Sequence, residues 1–286
     1  MFTPLLYRLL QSAHRWAAFS LAANVLLLFA LFAVTQRPVE PKLALASLAG
    51  SSQQLLAKTP VPSPHDRSHR QALSYQQWVD LLAQEASAAA QNQPNNLMVL
   101  MGDSITLWFT HDLLPPGQTW LNQGISGEKT LGLLRRLHLL DHTRPQAVFM
   151  MIGINDVLWD VSDATLLANS RLIMQDLRRQ HPRSRVVVQS ILPHAGASAT
   201  WEGRDRLLSI PNGRIRRLNL ELERIAAQEG ATFLNLYPLF ADERGNLKMD
   251  LSTDGLHLNR DGYRVWSTAL QLFIGLELDH THRKTD

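Results

Sequence analysis

Short apolar runs alternate with amphipathic stretches from residue 96 almost to the end of the chain. Five of these runs have the length of strands, and they cover residues 97–101, 120–122, 147–152, 186–191 and 232–236. Most are apolar at successive positions rather than at alternate ones, which is typical of strands that are buried on both faces. The pattern therefore predicts a central parallel sheet.

The stretches between these runs carry apolar residues three and four positions apart, the spacing of an amphipathic helix. Helices are predicted over residues 75–90, 130–140, 164–179, 214–228 and 260–276. Ser74 precedes the first of them, where a serine hydroxyl can cap free N–H groups. Alternating strands and helices predict an α/β fold, a three-layer α/β/α sandwich that binds ligands at the carboxyl ends of its strands.

The N-terminal region has a different pattern, because residues 16–34 carry no charge. As a helix this segment would be about 28 Å long, roughly the thickness of the hydrocarbon core of a bilayer. We expect one N-terminal transmembrane helix at 16–34, after a basic segment at 1–15 and before a flexible linker at 35–73 rich in Pro, Ser, Ala and Gln. A folded domain at 74–278 and a tail at 279–286 would follow. A cleaved signal peptide and a buried core helix remain alternatives for 16–34.

Membrane orientation is only weakly indicated by the flanking charges. Arg8 and Arg15 precede the apolar segment, while Arg37 and Lys42 follow it, so the excess of positive charge on one side is small. We expect a single-pass membrane protein with the domain at 74–278 outside the cytoplasm, or a secreted protein if the segment is cleaved.

The composition of the 286 residues excludes several classes of function. The net charge is +3 and no long basic run is present, so nucleic acid is not an expected partner. The absence of cysteine rules out disulfides, thiolate zinc sites and cysteine nucleophiles. His138 and His142 are four residues apart, but we expect surface histidines there, with no metal and no organic cofactor.

Four polar clusters follow predicted strands, where the fold would place a site. Ser104 lies in Gly-Asp-Ser after the first strand, Gly124 follows the second, and Asn155 follows the third in Gly-Ile-Asn-Asp. Asp254 and His257 form an Asp-x-x-His pair near the C-terminus. A serine hydroxyl needs a histidine base oriented by a carboxylate, and a glycine N–H and an asparagine amide are neutral donors suited to an oxyanion. Each cluster alone also fits a cap or a turn.

Together the four clusters resemble those of the SGNH hydrolase superfamily, whose blocks contain Gly-Asp-Ser, a glycine, Gly-x-Asn-Asp and Asp-x-x-His. The strings GDSIT, NQGISGEKT, GIND and DGLHLNRDGY look like the branch that includes platelet-activating-factor acetylhydrolase subunits and short-chain esterases. The likeness covers residues 96–275, and Ile105 stands where the GDSL name has leucine. It implies a flavodoxin-like sandwich.

The resemblance also implies a role for each matching residue. Ser104 would be the nucleophile, His257 its general base and Asp254 the group that orients the histidine. The oxyanion hole would combine the backbone N–H groups of Ser104 and Gly124 with the side-chain amide of Asn155.

Five further residues lie in or near these loops. Asp103 and Asp156 are expected to brace loops or cap helices. Trp108, Trp159 and His194 are candidates for lining the substrate pocket, although Trp159 could equally belong to the core.

The sequence therefore predicts a serine esterase, a hydrolase of short-acyl carboxylic esters, acting on a small-molecule, glycan or lipid ester. An acyltransferase or deacetylase of cell-envelope glycan remains an alternative, as does a non-catalytic module that binds glycan or lipid. No G-x-S-x-G elbow, Walker loop or dinucleotide fingerprint is present. The oligomeric state is not indicated.

Overall fold

The structure, a computed structural model, describes residues 73–278. The predicted segments 1–15, 16–34 and 279–286 lie outside the described residues, as does the linker up to residue 72. Within the described part, no helix combines the length and the apolar character needed to cross a bilayer. The membrane anchor thus stays a prediction.

A parallel sheet forms the centre of the fold. Among the described residues its strands are β1 (Leu97–Gly102), β2 (Thr119–Gly124), β3 (Ala147–Met151), β4 (Arg185–Gln189) and β5 (Thr232–Leu234), in the order β2-β1-β3-β4-β5. Every predicted strand is present. This is the flavodoxin-like order, in which the chain reverses direction across the sheet beside β1 and leaves a crevice at the carboxyl ends of the strands. The predicted central parallel sheet is confirmed.

The helices follow the predicted order, with four short additions. Their bounds are α1 (Tyr75–Asn92), α2 (Ser104–Leu107), α3 (Thr130–Arg135), α4 (Ile154–Leu158), α5 (Asp163–Gln180), α6 (Arg204–Ser209), α7 (Asn212–Gln228), α8 (Tyr237–Phe240) and α9 (Arg260–Phe273). Hydrophobic periodicity missed α2, α4, α6 and α8 because each spans fewer than two turns.

The prediction of one continuous helix over 130–140 was wrong. Helix α3 ends at Arg135, and a separate 3₁₀ turn covers Leu137–Leu140. The break falls at Arg136, whose guanidinium is buried against Glu128. A prediction from hydrophobic periodicity assumes that arginine faces solvent. It therefore could not predict that the helix ends where the Arg136 side chain is buried.

Helices cover both faces of the sheet. On one face, the ring of Phe273 in α9 contacts Phe149 of β3, edge to face, with centroids 5.8 Å apart. Asn122 shares this face, since it is in register with Phe149 through β1, and Gln123 therefore points to the opposite face. There its side chain donates to the backbone oxygen of Leu82 in α1. The arrangement is a three-layer sandwich.

Candidate active site

Ser104 is the first residue of α2, immediately after β1. The Asp103 carboxylate caps this helix by accepting the Ile105 N–H at 3.0 Å. A Cβ on Gly102 would lie 2.2 Å from the backbone oxygen of Met151, so only glycine lets β1 run this close to β3. The Ser104 N–H lies in the first turn, where helical N–H groups have no partner within the helix.

His257 joins Ser104 to Asp254. The Ser104 Oγ lies 3.0 Å from His257 Nε2, and His257 Nδ1 lies 2.7 Å from Asp254 Oδ2. The other carboxylate oxygen, Asp254 Oδ1, accepts the N–H groups of Leu256 and His257 at 2.9 and 2.8 Å. The predicted serine, histidine and aspartate are thus linked in one chain of hydrogen bonds.

The charge state of Asp254 suits this arrangement. Burial alone would raise its pKa, but hydrogen bonds from the His257 ring and from the N–H groups of His257 and Leu256 outweigh burial and lower the pKa. A carboxylate that stays ionised accepts a hydrogen bond from Nδ1–H, and this tautomer leaves the lone pair of Nε2 facing the Ser104 hydroxyl.

The loop that carries His257 is held by a serine that sequence reasoning missed. Ser252 Oγ donates to the His257 backbone oxygen at 2.6 Å and accepts the Gly255 N–H at 2.7 Å. Gly255 has a φ of +88°, and a Cβ there would lie 2.6 Å from Ala199 Cα, so this position requires glycine. No sequence signal could have found Ser252, because its bonds depend on the loop conformation.

The predicted oxyanion donors all lie at the carboxyl edge of the sheet. A Cβ on Gly124 would come within 2.4 Å of the Leu107 nitrogen, so glycine is needed where β2 approaches α2. The Gly124 N–H donates to Asn122 Oδ1 at 3.0 Å. Asn155 Nδ2 donates one hydrogen to the backbone oxygen of Glu128 at 3.1 Å, and an amide carries a second.

Asp103 and Asp156 both brace the framework, as predicted. Asp156 accepts the N–H and the hydroxyl of Thr130 at 2.9 and 2.5 Å, which joins α4 to the start of α3. Burial raises the pKa of both carboxyls, that of Asp103 to about 7. Their hydrogen bonds are made within the fold, where they hold the loops that carry Ser104 and Asn155.

The two tryptophans predicted for the substrate pocket lie in different surroundings. The Trp108 ring packs on the His257 ring with centroids 4.2 Å apart, so it forms a wall beside the histidine. Trp159 is 46% exposed, with the Arg206 guanidinium 4.1 Å from its ring centroid. Trp159 is therefore not a core residue, and its contact with substrate stays a prediction.

His194 requires a correction. We predicted a pocket-lining residue, but its side chain is buried and both ring nitrogens are bonded to the backbone. Nε2 lies 2.7 Å from the Ile210 oxygen, and Nδ1 accepts the Gly196 N–H at 3.1 Å. Burial lowers the pKa of His194. The ring fastens the segment after β4 and has no nitrogen left for a substrate.

Sequence reasoning also missed the polar contacts that lie behind the site. The Tyr263 hydroxyl, buried in the first turn of α9, donates to the Ile105 oxygen at 2.7 Å. Glu128 and Arg136 form a buried ion pair beside Gln123. Tyr263 and Glu128 do lie inside the motif strings, but nothing in those strings indicates which backbone atom each side chain meets.

Metal ligation has no candidate in the part of the chain that the structure describes, since no three His, Cys, Asp or Glu residues are grouped to hold an ion. His138 and His142 are both exposed. A surface groove of about 580 Å³ is lined by α1 and by residues 139–144. None of the candidate site residues lines this groove, so the groove is separate from the candidate active site.

The protein thus has a flavodoxin-like three-layer fold, with Ser104, His257 and Asp254 hydrogen-bonded to one another at the carboxyl edge of the sheet. Residues 100–265 match the GDSL-like Lipase/Acylhydrolase family. The chain belongs to this family, within the SGNH hydrolase superfamily, and is a hydrolase that acts on ester bonds.

The comparisons also name individual relatives. Platelet-activating factor acetylhydrolase IB subunit alpha1 of Rattus norvegicus is 26% identical in an alignment of 206 residues that covers 69% of this chain and 82% of the relative. A Streptococcus pneumonia structure named for platelet activating factor has 25% identity and a TM-score of 0.62, over 70% of this chain and 94% of the other. A GDSL-like lipase from Bacteroides thetaiotaomicron VPI-5482 has 24% identity and a TM-score of 0.57, over 69% and 97%.

Proposed function

We propose that the chain is a serine esterase that hydrolyses carboxylic esters with short acyl groups, using Ser104, His257 and Asp254 as a catalytic triad. The observation that carries this proposal is the pair of hydrogen bonds from Ser104 Oγ to His257 Nε2, 3.0 Å, and from His257 Nδ1 to Asp254 Oδ2, 2.7 Å. A serine in this geometry is activated by its own base.

The reaction then follows two half-cycles. Ser104 Oγ attacks the carbonyl carbon of the ester while His257 Nε2 takes the hydroxyl proton, and the tetrahedral intermediate collapses as His257 returns that proton to the departing alcohol. In the second half, His257 deprotonates a water that attacks the acyl-enzyme, and the acid leaves as Ser104 regains its proton. Asp254 stabilises the imidazolium in both halves.

The charge that develops on the carbonyl oxygen needs donors. The N–H of Ser104, the N–H of Gly124 and the second amide hydrogen of Asn155 are the proposed oxyanion hole, and one such donor is worth about 3 kcal/mol. Since the Gly124 N–H donates to Asn122 Oδ1 in the free enzyme, it must be shared with the oxyanion or released to it.

A short acyl group is supported by two observations. Ser104 and His257 are each only 7% exposed, and the Trp108 ring packs on His257, so little of either reacting residue is open to a bulky acyl group. The mammalian relative is named an acetylhydrolase. The alcohol part of the ester would extend outwards, where a small molecule, a glycan or a lipid could supply it.

The test is hydrolysis of p-nitrophenyl esters from acetate to palmitate by the full-length protein, with Ser104→Ala as control. Turnover that falls with acyl length and is lost in Ser104→Ala supports the proposal. Turnover that survives in Ser104→Ala contradicts the nucleophile assignment. Covalent labelling of Ser104 by a fluorophosphonate without ester hydrolysis would favour acyl transfer to or from a glycan instead, and a folded protein with neither would favour a binding role.

A further inference from the structure

Glu128 and Arg136 form an ion pair in the interior, behind the proposed oxyanion hole. Arg136 Nε lies 2.9 Å from Glu128 Oε1 and 3.0 Å from Oε2, while Nη2 contacts Oε2. The exposed fractions of the two side chains are 2% and 1%. Two charges are seldom taken this far from water unless each holds further groups, and the backbone contacts of this pair show which groups it holds.

The first of these contacts is to the strand that carries Gly124. Arg136 Nη2 donates to the backbone oxygen of Gln123 at 2.7 Å. That oxygen and the Gly124 N–H belong to the same peptide unit, which is planar and trans, so they point in opposite directions. Fixing the oxygen with a guanidinium therefore fixes the direction of the N–H. A charged donor on the oxygen also polarises the peptide and strengthens the N–H as a donor.

The second contact is to Asn155. The backbone oxygen of Glu128 accepts one hydrogen of the Asn155 amide at 3.1 Å. The carboxamide group is planar, so holding one N–H fixes the direction of the other. The Glu128 side chain is in turn held by Arg136, and by the Tyr75 hydroxyl of α1 at 3.1 Å. The same pair thus contacts the groups that hold two proposed donors, Gly124 at the end of β2 and Asn155 in α4.

We propose that the Glu128–Arg136 pair positions the oxyanion hole, by orienting the Gly124 N–H through the Gln123 carbonyl and the Asn155 amide through the Glu128 carbonyl. This inference rests on the function proposed above. Neither side chain touches the reacting atoms, so both are positioning residues. An oxyanion donor acts mainly in the transition state, so disturbing the pair changes kcat and leaves KM nearly constant.

The test compares Arg136→Lys with the double variant Glu128→Gln/Arg136→Met. Lysine keeps the charge but lacks the planar fork that reaches both Glu128 and Gln123. The double variant replaces both charges by neutral side chains of similar length, so that no unpaired charge is buried. Arg171→Met is the matched control, since it breaks the ion pair with Glu229, which lies at the C-terminal end of α7.

We expect the double variant to fold and to lose about tenfold to hundredfold in kcat, with KM within about twofold of the wild type. The kcat of Arg136→Lys should lie between those of the wild type and the double variant, and the kcat of Arg171→Met should match that of the wild type. Adding Asn155→Ala to the double variant should cost less than it does in the wild type, because the pair acts partly through that amide.

An unchanged kcat in the folded double variant would overturn the positioning role. So would a triple variant whose fold-loss in kcat equals the product of the losses in the double variant and in Asn155→Ala. If the wild type shows no serine-dependent turnover, the proposed function has failed, and the rate of Ser104 labelling by a fluorophosphonate becomes the readout. Slower labelling in the double variant than in Arg171→Met would still support the role, whereas equal labelling, or none in any variant, would refute it.

Discussion

Replacing Asp103 by asparagine should make the protein more stable at pH 8 and change its stability little at pH 4. The Asp103 side chain is 1% exposed, and burial raises its pKa to about 7, although the Ile105 N–H bond favours the charged form. Asparagine has almost the same shape, and its Oδ1 can accept the same N–H. The substitution therefore removes the ionisation and keeps the cap of α2.

The size of the effect follows from the two pKa values of this carboxyl. Between an ordinary value of 3.8 and a folded-state value of about 7, the difference corresponds to about 4 kcal/mol, at about 1.4 kcal/mol per tenfold change in proton affinity. The folded state binds the proton more tightly, so the Asp103 contribution to stability is full below pH 4 and is lost as the pH rises to about 7. Asparagine loses nothing over this range.

The measurement is the free energy of unfolding by urea at pH 4, 6 and 8, for the wild type, Asp103→Asn and the exposed-site control Asp205→Asn. The buried carboxyls Glu128 and Asp156 also have raised pKa values, and their negative charges contribute to the raised pKa of Asp103. Part of the difference between wild type and Asp103→Asn therefore reports repulsion among these three carboxyls. We expect Asp103→Asn to exceed the wild type by up to about 4 kcal/mol at pH 8. A difference that is the same at pH 4 and pH 8 would refute the reasoning.

Three further substitutions test other parts of the site. Asp254→Asn should lower kcat by about 10⁴ with little loss of stability, because its oxygen can still accept the loop N–H groups while its amide disfavours the required histidine tautomer; a loss below tenfold in steady-state kinetics would argue against the orienting role. Tyr263→Phe should cost about 1–3 kcal/mol in urea unfolding, since it leaves the Ile105 oxygen buried without its donor; unchanged stability would contradict this. Trp159→Ala should raise KM about fivefold if the ring and Arg206 contact the substrate, and an unchanged KM would place them outside the pocket.

The sheet could be predicted because its signal is local. Residues 97–101 and 147–152 are apolar at nearly every position, and a strand buried on both faces needs no other information to be recognised. The end of α3 could not be predicted, because it depends on where the Arg136 guanidinium finds its partner. Charge in a sequence indicates exposure, whereas here the charge is paired inside the fold.

The site divides in the same way. Ser104, Asp254 and His257 could be predicted as a group because a serine, a carboxylate and an imidazole at strand ends suggest one chemistry. His194 has an equally reactive ring, yet its nitrogens are bonded to the backbone, and no sequence feature separates a histidine in that state from a free one. Ser252 is the opposite case: nothing in the sequence marks this serine, yet its hydroxyl makes two contacts that hold the His257 loop.

The helix that presents Ser104 explains why such supports matter. Helix α2 has four residues, and a single turn is unstable by itself because nucleation costs more than one turn returns. Its geometry must therefore come from other elements. Tyr263 holds the Ile105 oxygen from α9, and Asn122 holds the Thr106 oxygen from β2 at 2.7 Å.

Those two supports come from the elements that also carry the rest of the site. Helix α9 follows directly after the His257 loop, and β2 ends at Gly124. A shift of either element would move Ser104 together with the proposed base or with a proposed oxyanion donor, so the distances among these groups would change less than their positions in the fold. Tyr263→Phe removes one of these two links, so we expect it to lower kcat as well as stability.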